Sequence, residues 1–201
     1  IRTGIQYMSA DKEKKVISLT SSISAEGKTF CSMNLASVFA LSDSPTLLIG
    51  ADLRKPKIFG DFMLSNEEGL SSYLINKSSI EEIIQKSNVE NLDIILSGPT
   101  PPNPSELLDT DKMNQLIEKL KKKYKYIIID TPPVGLVTDG YILMKHADIN
   151  LFVVREGYTT KQMLSNINNI YKEKSLSNMS LVFNDVDSNG YGYSYGYGYG
   201  Y

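Results

Sequence analysis

The sequence predicts an α/β protein in which helices cover both faces of a doubly wound, mostly parallel β-sheet. Short runs of Ile, Val and Leu alternate along the chain with segments of helical spacing. Strands that are buried on both faces have this continuous apolar character, whereas half-exposed strands alternate apolar and polar residues. The 201 residues fit one such domain with right-handed crossovers. We predict this domain over residues 1–187 and a separate tail over residues 188–201.

The apolar runs predict strands at residues 16–20, 46–49, 92–96, 126–129, 150–154 and 179–183. Apolar residues spaced by three or four positions predict helices over residues 28–42, 79–87, 111–123, 138–146 and 159–174. In open parallel sheets, ligands bind beyond the carboxyl ends of the strands. The loops that follow the strands are therefore the expected location of a functional site.

The tail differs in composition from the rest of the chain. Of its 14 residues, six are Tyr, five Gly, two Ser and one Asn, and none is charged. Without aliphatic residues the tail buries too little apolar surface to offset the entropy of ordering, so we predict a disordered terminus. Alternation of Gly and Tyr also permits an aggregation-prone strand edge. The six tyrosines are Tyr191, Tyr193, Tyr195, Tyr197, Tyr199 and Tyr201.

The first predicted strand is followed by SISAEGKT at residues 22–29, which opens a predicted helix. This segment follows the Walker A pattern G-x-x-x-x-G-K-[ST], with Ser22 in place of the first Gly. In such loops the backbone N–H groups converge on phosphate oxygens, the Lys neutralises the β and γ phosphates, and the hydroxyl ligates Mg²⁺. We therefore predict a site for ATP or ADP with Mg²⁺, formed by Ser24, Ala25, Glu26, Gly27, Lys28, Thr29 and Phe30.

Two acidic residues follow other predicted strands. Asp130 ends the apolar run 126–129 and precedes Thr-Pro-Pro, which is a Walker B pattern, and Asp52 lies shortly beyond the run 46–49. Because a Mg²⁺-nucleotide site needs carboxylates opposite the phosphate loop, both residues are candidates for that position. Taken alone, the segment that contains Asp52 is also compatible with a plain loop.

Composition excludes several classes of protein. One Cys excludes a disulfide framework and a Cys-based zinc site, and it fits a reducing, intracellular compartment. A net charge of −2 gives no electrostatic basis for binding nucleic acid. The apolar runs are far shorter than the ~20 residues of a membrane helix, and no secretory signal is recognisable. The chain begins at Ile1, so a preceding membrane segment stays open.

Together, these motifs resemble those of the bacterial tyrosine kinases (BY-kinases) of capsule and exopolysaccharide synthesis. The resemblance extends over nearly the whole chain and includes a second Walker segment, called A′, at residues 47–56 and the terminal Tyr cluster. Partition ATPases instead carry a second Lys early in the phosphate loop, where this chain has Ser-Ile-Ser. Other similar segments are Arg2-Thr3 with Ile5-Gln6, Gly69-Leu70-Ser71 with Leu74, residues 98–108, and Asn184 with Asp185-Val186-Asp187.

The resemblance implies a P-loop NTPase fold related to septum-site and plasmid-partition ATPases. It also implies that Lys28 holds phosphates, that Thr29, Asp52 and Asp130 hold Mg²⁺, and that Asn184 contacts the adenine. The six tail tyrosines are then the sites of autophosphorylation.

Assembly is a further implication of the resemblance. Arg2 and Arg54 are expected at subunit contacts in a homo-oligomeric ring. A membrane-anchored activator, either a separate chain or a preceding domain, is expected to hold the kinase at the cytoplasmic face of the cell membrane. A cognate tyrosine phosphatase and the enzymes of polysaccharide synthesis are expected as additional partners.

Gly50 departs from the A′ signature D-x-D-x-R, in which the first Asp is the expected base or metal-orienting group for the attacking phenol. A Gly at this catalytic position neither accepts a proton nor ligates a metal through a side chain, and loss of a general base typically costs on the order of 10²–10⁴-fold in rate. Three functions therefore stay open: an autokinase of reduced rate, a nucleotide-binding scaffold or pseudokinase, and a partition-like ATPase that hydrolyses ATP to water.

Overall fold

The computed structural model describes residues 1–8, 15–173 and 178–187, and within them the chain forms a seven-stranded sheet in the order β3-β4-β2-β5-β1-β6-β7. All neighbouring strands are parallel except β3 and β4. The strands are β1 (Lys15–Ser21), β2 (Thr46–Gly50), β3 (Ile84–Lys86), β4 (Leu92–Ile95), β5 (Tyr126–Asp130), β6 (Ile149–Arg155) and β7 (Met179–Asn184). The predicted fold class is confirmed, because the sheet is mostly parallel and is covered by helices on both faces.

Helices connect the parallel strands. They are α1 (Arg2–Met8), α2 (Lys28–Ala40), α3 (Ile58–Phe62), α4 (Leu70–Leu74), α5 (Ile80–Ile83), α6 (Pro104–Leu108), α7 (Asp111–Leu120), α8 (Asp139–Met144) and α9 (Lys161–Glu173). Among the described residues, no helix combines the length and apolar character needed to cross a lipid bilayer. The predicted tail, residues 188–201, lies outside the described residues.

Alternate residues of each strand pack against opposite layers of helices. In β5, Ile127 and Ile129 contribute to one apolar cluster with helix α7, and Ile128 contributes to another with helix α2. The ring of Phe39 in α2 stacks on Tyr126 at a centroid distance of 3.8 Å. This burial on both faces explains the uniform apolar runs of the sequence.

The helix predicted over residues 79–87 is wrong in its second half. Helix α5 has four residues and begins with a capping box, in which Ser79 and Glu82 satisfy each other's backbone N–H groups. The chain then turns into the edge strand β3, where Ile84 pairs with Ile95 of β4. The β-branched pair Ile83-Ile84 favours extended backbone, and the edge of the sheet supplies a partner, so tertiary pairing overrides the helical spacing.

The sequence also did not predict helices α1, α3, α4 and α6. Each has five to seven residues, which is too short for an apolar repeat of 3.6 residues to be visible. The first strand begins one residue earlier than predicted and several helices end earlier, as with α7, which ends at Leu120. These shifts leave the order of the main strands and helices unchanged.

Candidate functional site

The phosphate loop connects the carboxyl end of β1 to the first turn of α2. Ala25 and Gly27 have positive φ angles of 68° and 92°, which turn successive backbone groups toward a common centre. A Cβ atom at Gly27 would lie 1.9 Å from Nδ2 of Asn184. Gly is therefore required at this position both by the backbone conformation and by the close approach of β7.

Glu26 stabilises the loop from within. Its side chain is fully buried, and the carboxylate accepts hydrogen bonds from the backbone N–H of Ile23 at 2.9 Å and from the Thr159 hydroxyl. Asn184 donates to the backbone carbonyl of Glu26 at 3.1 Å. The carboxylate of Glu26 holds the shape of the loop, and a contact between Glu26 and the nucleotide stays a prediction. Asn184 lies against the loop, and its contact with adenine stays a prediction.

A second set of contacts to the phosphate loop comes from the last residue of β6 and the segment after it, and it was not predicted from the sequence. Nη1 of Arg155 donates to the Ala25 carbonyl at 3.1 Å, while its Nε pairs with Asp185 at 2.9 Å. The Tyr158 hydroxyl donates to the Ser24 carbonyl at 3.3 Å. Because β6 lies beside β1 in the sheet, its carboxyl end meets the phosphate loop. The sequence feature that could have indicated these contacts is an Arg and a Tyr at the carboxyl end of a predicted buried strand.

Lys28, Thr29 and Ser32 of α2 converge on Asp130. Nζ of Lys28 lies 2.8 Å from Oδ1 of Asp130, the Thr29 hydroxyl donates to Oδ2 at 2.9 Å, and the Ser32 hydroxyl donates to Oδ1 at 2.9 Å. Asp130 is 2 % exposed, and hydrogen-bond donors offset the hydration that a carboxylate loses on burial. The structure therefore joins the predicted Walker A and Walker B residues. Ser32, one helical turn beyond Lys28, was missed because no motif included it.

The A′ segment faces this cluster from the end of β2. Oδ1 of Asp52 accepts hydrogen bonds from the backbone N–H groups of Arg54 at 3.3 Å and Lys55 at 3.0 Å, which turns the chain toward the phosphate loop. Asp52, Thr29 and Asp130 line a small cavity of about 10 Å³ together with Gly50. Position 50 is therefore part of the site, as its place in the A′ signature predicted.

A larger cavity of about 310 Å³ opens beside the cluster. The phosphate loop forms one wall, the A′ segment forms a second, and the segment after β5 forms a third through Pro132, Pro133 and Leu136. Phe30 also lines this cavity and is 61 % exposed. A cleft at the carboxyl ends of parallel strands, walled by a phosphate loop, has the size and position of a nucleotide site. Ser24, Ala25 and Lys28 are among its other lining residues.

The donor set around the small cavity fits Mg²⁺. This cation binds through hydroxyl and carboxylate oxygens plus substrate phosphates, and it usually retains several waters. Thr29, Asp52 and Asp130 supply such oxygens on one side of the cavity. The described residues contain no cluster of three or more His, Cys, Asp or Glu that could hold a metal ion.

Arg54 binds within its own chain. Its Nε and Nη2 lie 2.8 and 3.1 Å from the two carboxylate oxygens of Asp139 at the start of α8, and Nη2 also lies 3.0 Å from the Ser105 hydroxyl. The Ser105 hydroxyl in turn donates to Asp139. Arg54 thus ties the A′ segment to α6 and α8. Arg2 donates to the Ser42 hydroxyl beyond the end of α2. The role of both arginines at subunit contacts stays a prediction.

Arg54→Ala is expected to destabilise the domain by about 2 kcal/mol, because it leaves the fully buried Asp139 without its cation. The Arg54 side chain is 40 % exposed, which places the cost below that of a fully buried pair. Urea unfolding of the variant measures the loss. Arg54→Lys is expected to recover part of it, since an ammonium keeps the charge but not the bidentate geometry.

The pair formed by Arg54 and Asp139 also predicts that the stability of the domain depends on pH. Burial opposes ionisation of Asp139, but hydrogen bonds from Arg54 and Ser105 outweigh it and lower the pKa of this carboxyl. A lowered folded-state pKa stabilises the fold above the unfolded-state pKa, and the gain is lost as pH falls through the folded-state pKa. The difference between wild type and Arg54→Ala is therefore expected to shrink in acid. A difference independent of pH would contradict the assignment.

Comparisons with known proteins agree with this geometry. A sequence-family profile described as an AAA domain matches residues 14–183. The chain is 44% identical over 162 residues to the tyrosine-protein kinase YwqD of Bacillus subtilis, covering 81% of this chain and 68% of that one. It is 42% identical over 142 residues to a putative tyrosine-protein kinase, CapB, of Staphylococcus aureus, covering 71% of this chain and 62% of that one.

Solved structures show the same relationship. The kinase domain of the Escherichia coli tyrosine kinase ETK superposes with a TM-score of 0.87 and 36% identity, covering 98% of this chain and 78% of that one. The septum-site protein MinD of Pyrococcus horikoshii superposes with a TM-score of 0.70 at 21% identity, covering 85% of this chain and 69% of that one, which shows a shared fold. With a phosphate loop, a Walker B carboxylate and an A′ segment around one nucleotide cleft, the chain belongs to the bacterial tyrosine-protein kinases with a P-loop NTPase fold.

Proposed function

We propose that the chain transfers the γ-phosphate of Mg-ATP to tyrosines of its own C-terminal tail or of a neighbouring copy's tail. The observation that carries this proposal is the convergence of Lys28, Thr29 and Ser32 on Asp130 beside a nucleotide-sized cleft. The second support is the tail itself, because it supplies phenols in a chain that resembles tyrosine kinases. The proposed acceptors are Tyr191, Tyr193, Tyr195, Tyr197, Tyr199 and Tyr201.

Each side chain of the site has a distinct proposed task. Lys28 exchanges its bond to Asp130 for the β and γ phosphates, while the backbone N–H groups around Ala25 and Gly27 bind their oxygens. Thr29, Asp52 and Asp130 hold Mg²⁺, which, when bound, neutralises charge on the phosphates. Since phosphoryl transfer proceeds through a loose transition state, this positioning and neutralisation supply most of the rate.

The phenol must also lose a proton, since a Tyr with a pKa near 10 is a poor nucleophile at pH 7. The carboxylate of Glu26 is engaged inside the loop, and Asp130 accepts three hydrogen bonds. Among the described residues around the two cavities, Asp52 is the remaining carboxylate, and the backbone N–H groups of Arg54 and Lys55 engage its Oδ1 and not its Oδ2. We therefore assign the role of proton acceptor to Asp52, and we expect a reduced rate because Asp52 also holds the metal.

The biological role that we propose rests on the resemblance to the BY-kinases. We propose a homo-oligomeric ring that a membrane-anchored activator holds at the cytoplasmic face of the membrane. In this role the kinase regulates the synthesis and export of capsular or extracellular polysaccharide, and a cognate phosphatase reverses the modification. The net charge of −2 gives no reason to include nucleic acid among the partners.

Incubation with γ-labelled ATP and Mg²⁺ tests the proposal against its two rivals. We expect label on tail tyrosines, located by mass spectrometry, and none after all six are replaced by Phe. Tight ATP binding with neither labelled protein nor released phosphate would instead indicate a pseudokinase, the candidate that Gly50 favours. Released phosphate without labelled protein would indicate a partition-like ATPase with an inert tail.

A further inference from the structure

A second large cleft lies beside the edge strand β3, and it shares no lining residue with the nucleotide cleft. Its volume is about 750 Å³, and it is formed by α4, α5, β3 and the end of α7. Lys123 lines this cleft shortly before β5 begins, whereas Asp130 is the last residue of β5. The five residues of β5 lie between Lys123 and Asp130 and extend over roughly 17 Å. The cleft is therefore distinct from the nucleotide site.

The floor of this cleft is apolar and its rim is basic. Tyr73 and Leu120 are buried beneath it, and Ile80 is partly buried. Lys86, Lys119 and Lys123 line the opening, and Glu81 is the acidic lining residue among those described. Lysines thus outnumber carboxylates at the rim, which is the charge pattern of an anion-binding site.

The lysines of the cleft are only partly neutralised. Lys86 and Lys123 lie 2.8 and 3.5 Å from the buried Asp93, so two cations share one carboxylate. Tyr124 donates its hydroxyl to the same carboxylate at 2.6 Å, which uses a further lone pair of Asp93. An anion at the opening would therefore meet lysines whose positive charge is not fully neutralised by Asp93.

Lys119 and Lys112 add to this excess. Lys119 is exposed, and no ion pair to it occurs within the described residues. Lys112 is not a lining residue, but its Nζ lies 4.4 Å from the centroid of the ring of Tyr73, which is one, and it also donates to the Asn76 side chain. Burial lowers the pKa of Lys112, and the nearby charge of Lys119 lowers it further. An anion bound between these lysines would relieve their mutual repulsion.

A ligand that matches the cleft needs an apolar ring and a compact anion. Phosphotyrosine has both, because its ring can pack on the apolar floor while its phosphate accepts hydrogen bonds from lysines. The unmodified tail, residues 188–201, contains no charged residue. Each phosphate adds about −1.5 to −2 charge, so only the modified tail is complementary to the rim.

We propose that the cleft around Lys119 binds phosphorylated tyrosines of the tail, residues 188–201. This inference rests on the proposed function, which creates the phosphate groups. The tail is long enough: its 14 residues extend over about 46–50 Å, whereas β7 and β3, at opposite edges of the sheet, are about 29 Å apart. The cleft thus binds the phosphorylated product of the nucleotide site and holds the modified tail away from that site.

A synthetic peptide separates this inference from the kinase reaction. A peptide of residues 188–201 carrying phosphotyrosine at the position of Tyr195 is titrated into the full, unphosphorylated chain by calorimetry. We expect saturable binding, and about tenfold weaker binding to Lys119→Glu, because a charge-assisted contact is lost and a repulsive charge is gained. The control Lys172→Glu makes the same charge change on α9, at the other edge of the sheet, and is expected to bind within about twofold of wild type.

Three results would overturn the inference. The first is the absence of phosphopeptide binding, or equal binding of the unphosphorylated peptide. The second is an equal loss of affinity in Lys119→Glu and Lys172→Glu, which would indicate general charge attraction. The third is Lys119-dependent binding to phosphatidylglycerol vesicles without binding to the peptide, which would assign the cleft to lipid. Because the peptide is synthetic, none of these results depends on whether the chain phosphorylates itself.

Discussion

Lys28→Met is expected to reduce ATP-dependent labelling of the tail by on the order of 10²–10³-fold, the usual cost of removing one preorganised contact to developing charge. In the structure Nζ of Lys28 lies 2.8 Å from Asp130 and 3.2 Å from the Thr29 hydroxyl. It is therefore placed where the β and γ phosphates would meet the metal ligands. Met fills the volume of the side chain but cannot neutralise phosphate. Initial rates of incorporation from γ-labelled ATP measure the effect.

The fold is expected to tolerate Lys28→Met, which keeps the activity test interpretable. Asp130 loses a cation but retains the hydroxyl donors of Thr29 and Ser32, at 2.9 Å each. These donors reduce the usual penalty for an unpaired buried carboxylate, which is about 3–5 kcal/mol. Thermal unfolding is compared with that of the surface variant Lys172→Met, which is expected to label at the wild-type rate. Undiminished labelling of a folded Lys28→Met chain would refute the assignment of the phosphate site.

The sequence was sufficient to predict those parts of the site that lie on buried parallel strands. A carboxylate at the end of an apolar run, such as Asp130, must emerge at the carboxyl edge of the sheet, and the order of the strands brings that edge beside the phosphate loop. The residues Lys28 and Thr29 follow from the same geometry, because the loop connects a central strand to a helix. Local pattern and global topology agree at these positions.

Residues that brace the site could not be predicted in the same way. Ser32, Arg155 and Asp139 contact the site through partners that are 98, 130 and 85 positions away in the chain. Such distances depend on how the strands are ordered, and a single sequence does not reveal which polar side chains will meet. Arg54 illustrates the limit, because the motif identified the residue while its intrachain partner Asp139 appeared only in the folded chain.

Position 50 can accept a side chain. Gly50 has an extended backbone in β2 opposite Asp130 of β5, so no special φ angle requires Gly there. A Cβ atom would lie 3.3 Å from Cδ1 of Ile58 and 3.7 Å from the backbone N of Ser97. The closest atom is the end of a flexible side chain, which can move by a few tenths of an ångström. Residues in register on parallel strands project to the same face, so a carboxylate at position 50 would point toward the metal ligands.

Gly50→Asp is expected to increase the rate of tail labelling by on the order of 10²–10⁴-fold, the usual contribution of a general base. The new carboxylate would enter the small cavity that Thr29, Asp52 and Asp130 line. Initial rates at saturating ATP and Mg²⁺ separate this effect from tighter nucleotide binding.

The matched control is Gly50→Asn, which has the same shape but cannot accept a phenol proton. If position 50 acts through a base, the tail of Gly50→Asp is labelled rapidly, whereas the tail of Gly50→Asn is labelled at nearly the rate of the wild-type chain. If it acts by filling the cavity beside Ile58, both variants accelerate equally. The added charge also predicts that Gly50→Asp is less stable than Gly50→Asn without Mg²⁺ and regains stability when Mg²⁺ and nucleotide are present, because the cation offsets repulsion among three carboxylates. Equal labelling by all three proteins would show that Asp52 already supplies the base and that the A′ signature needs only its second carboxylate.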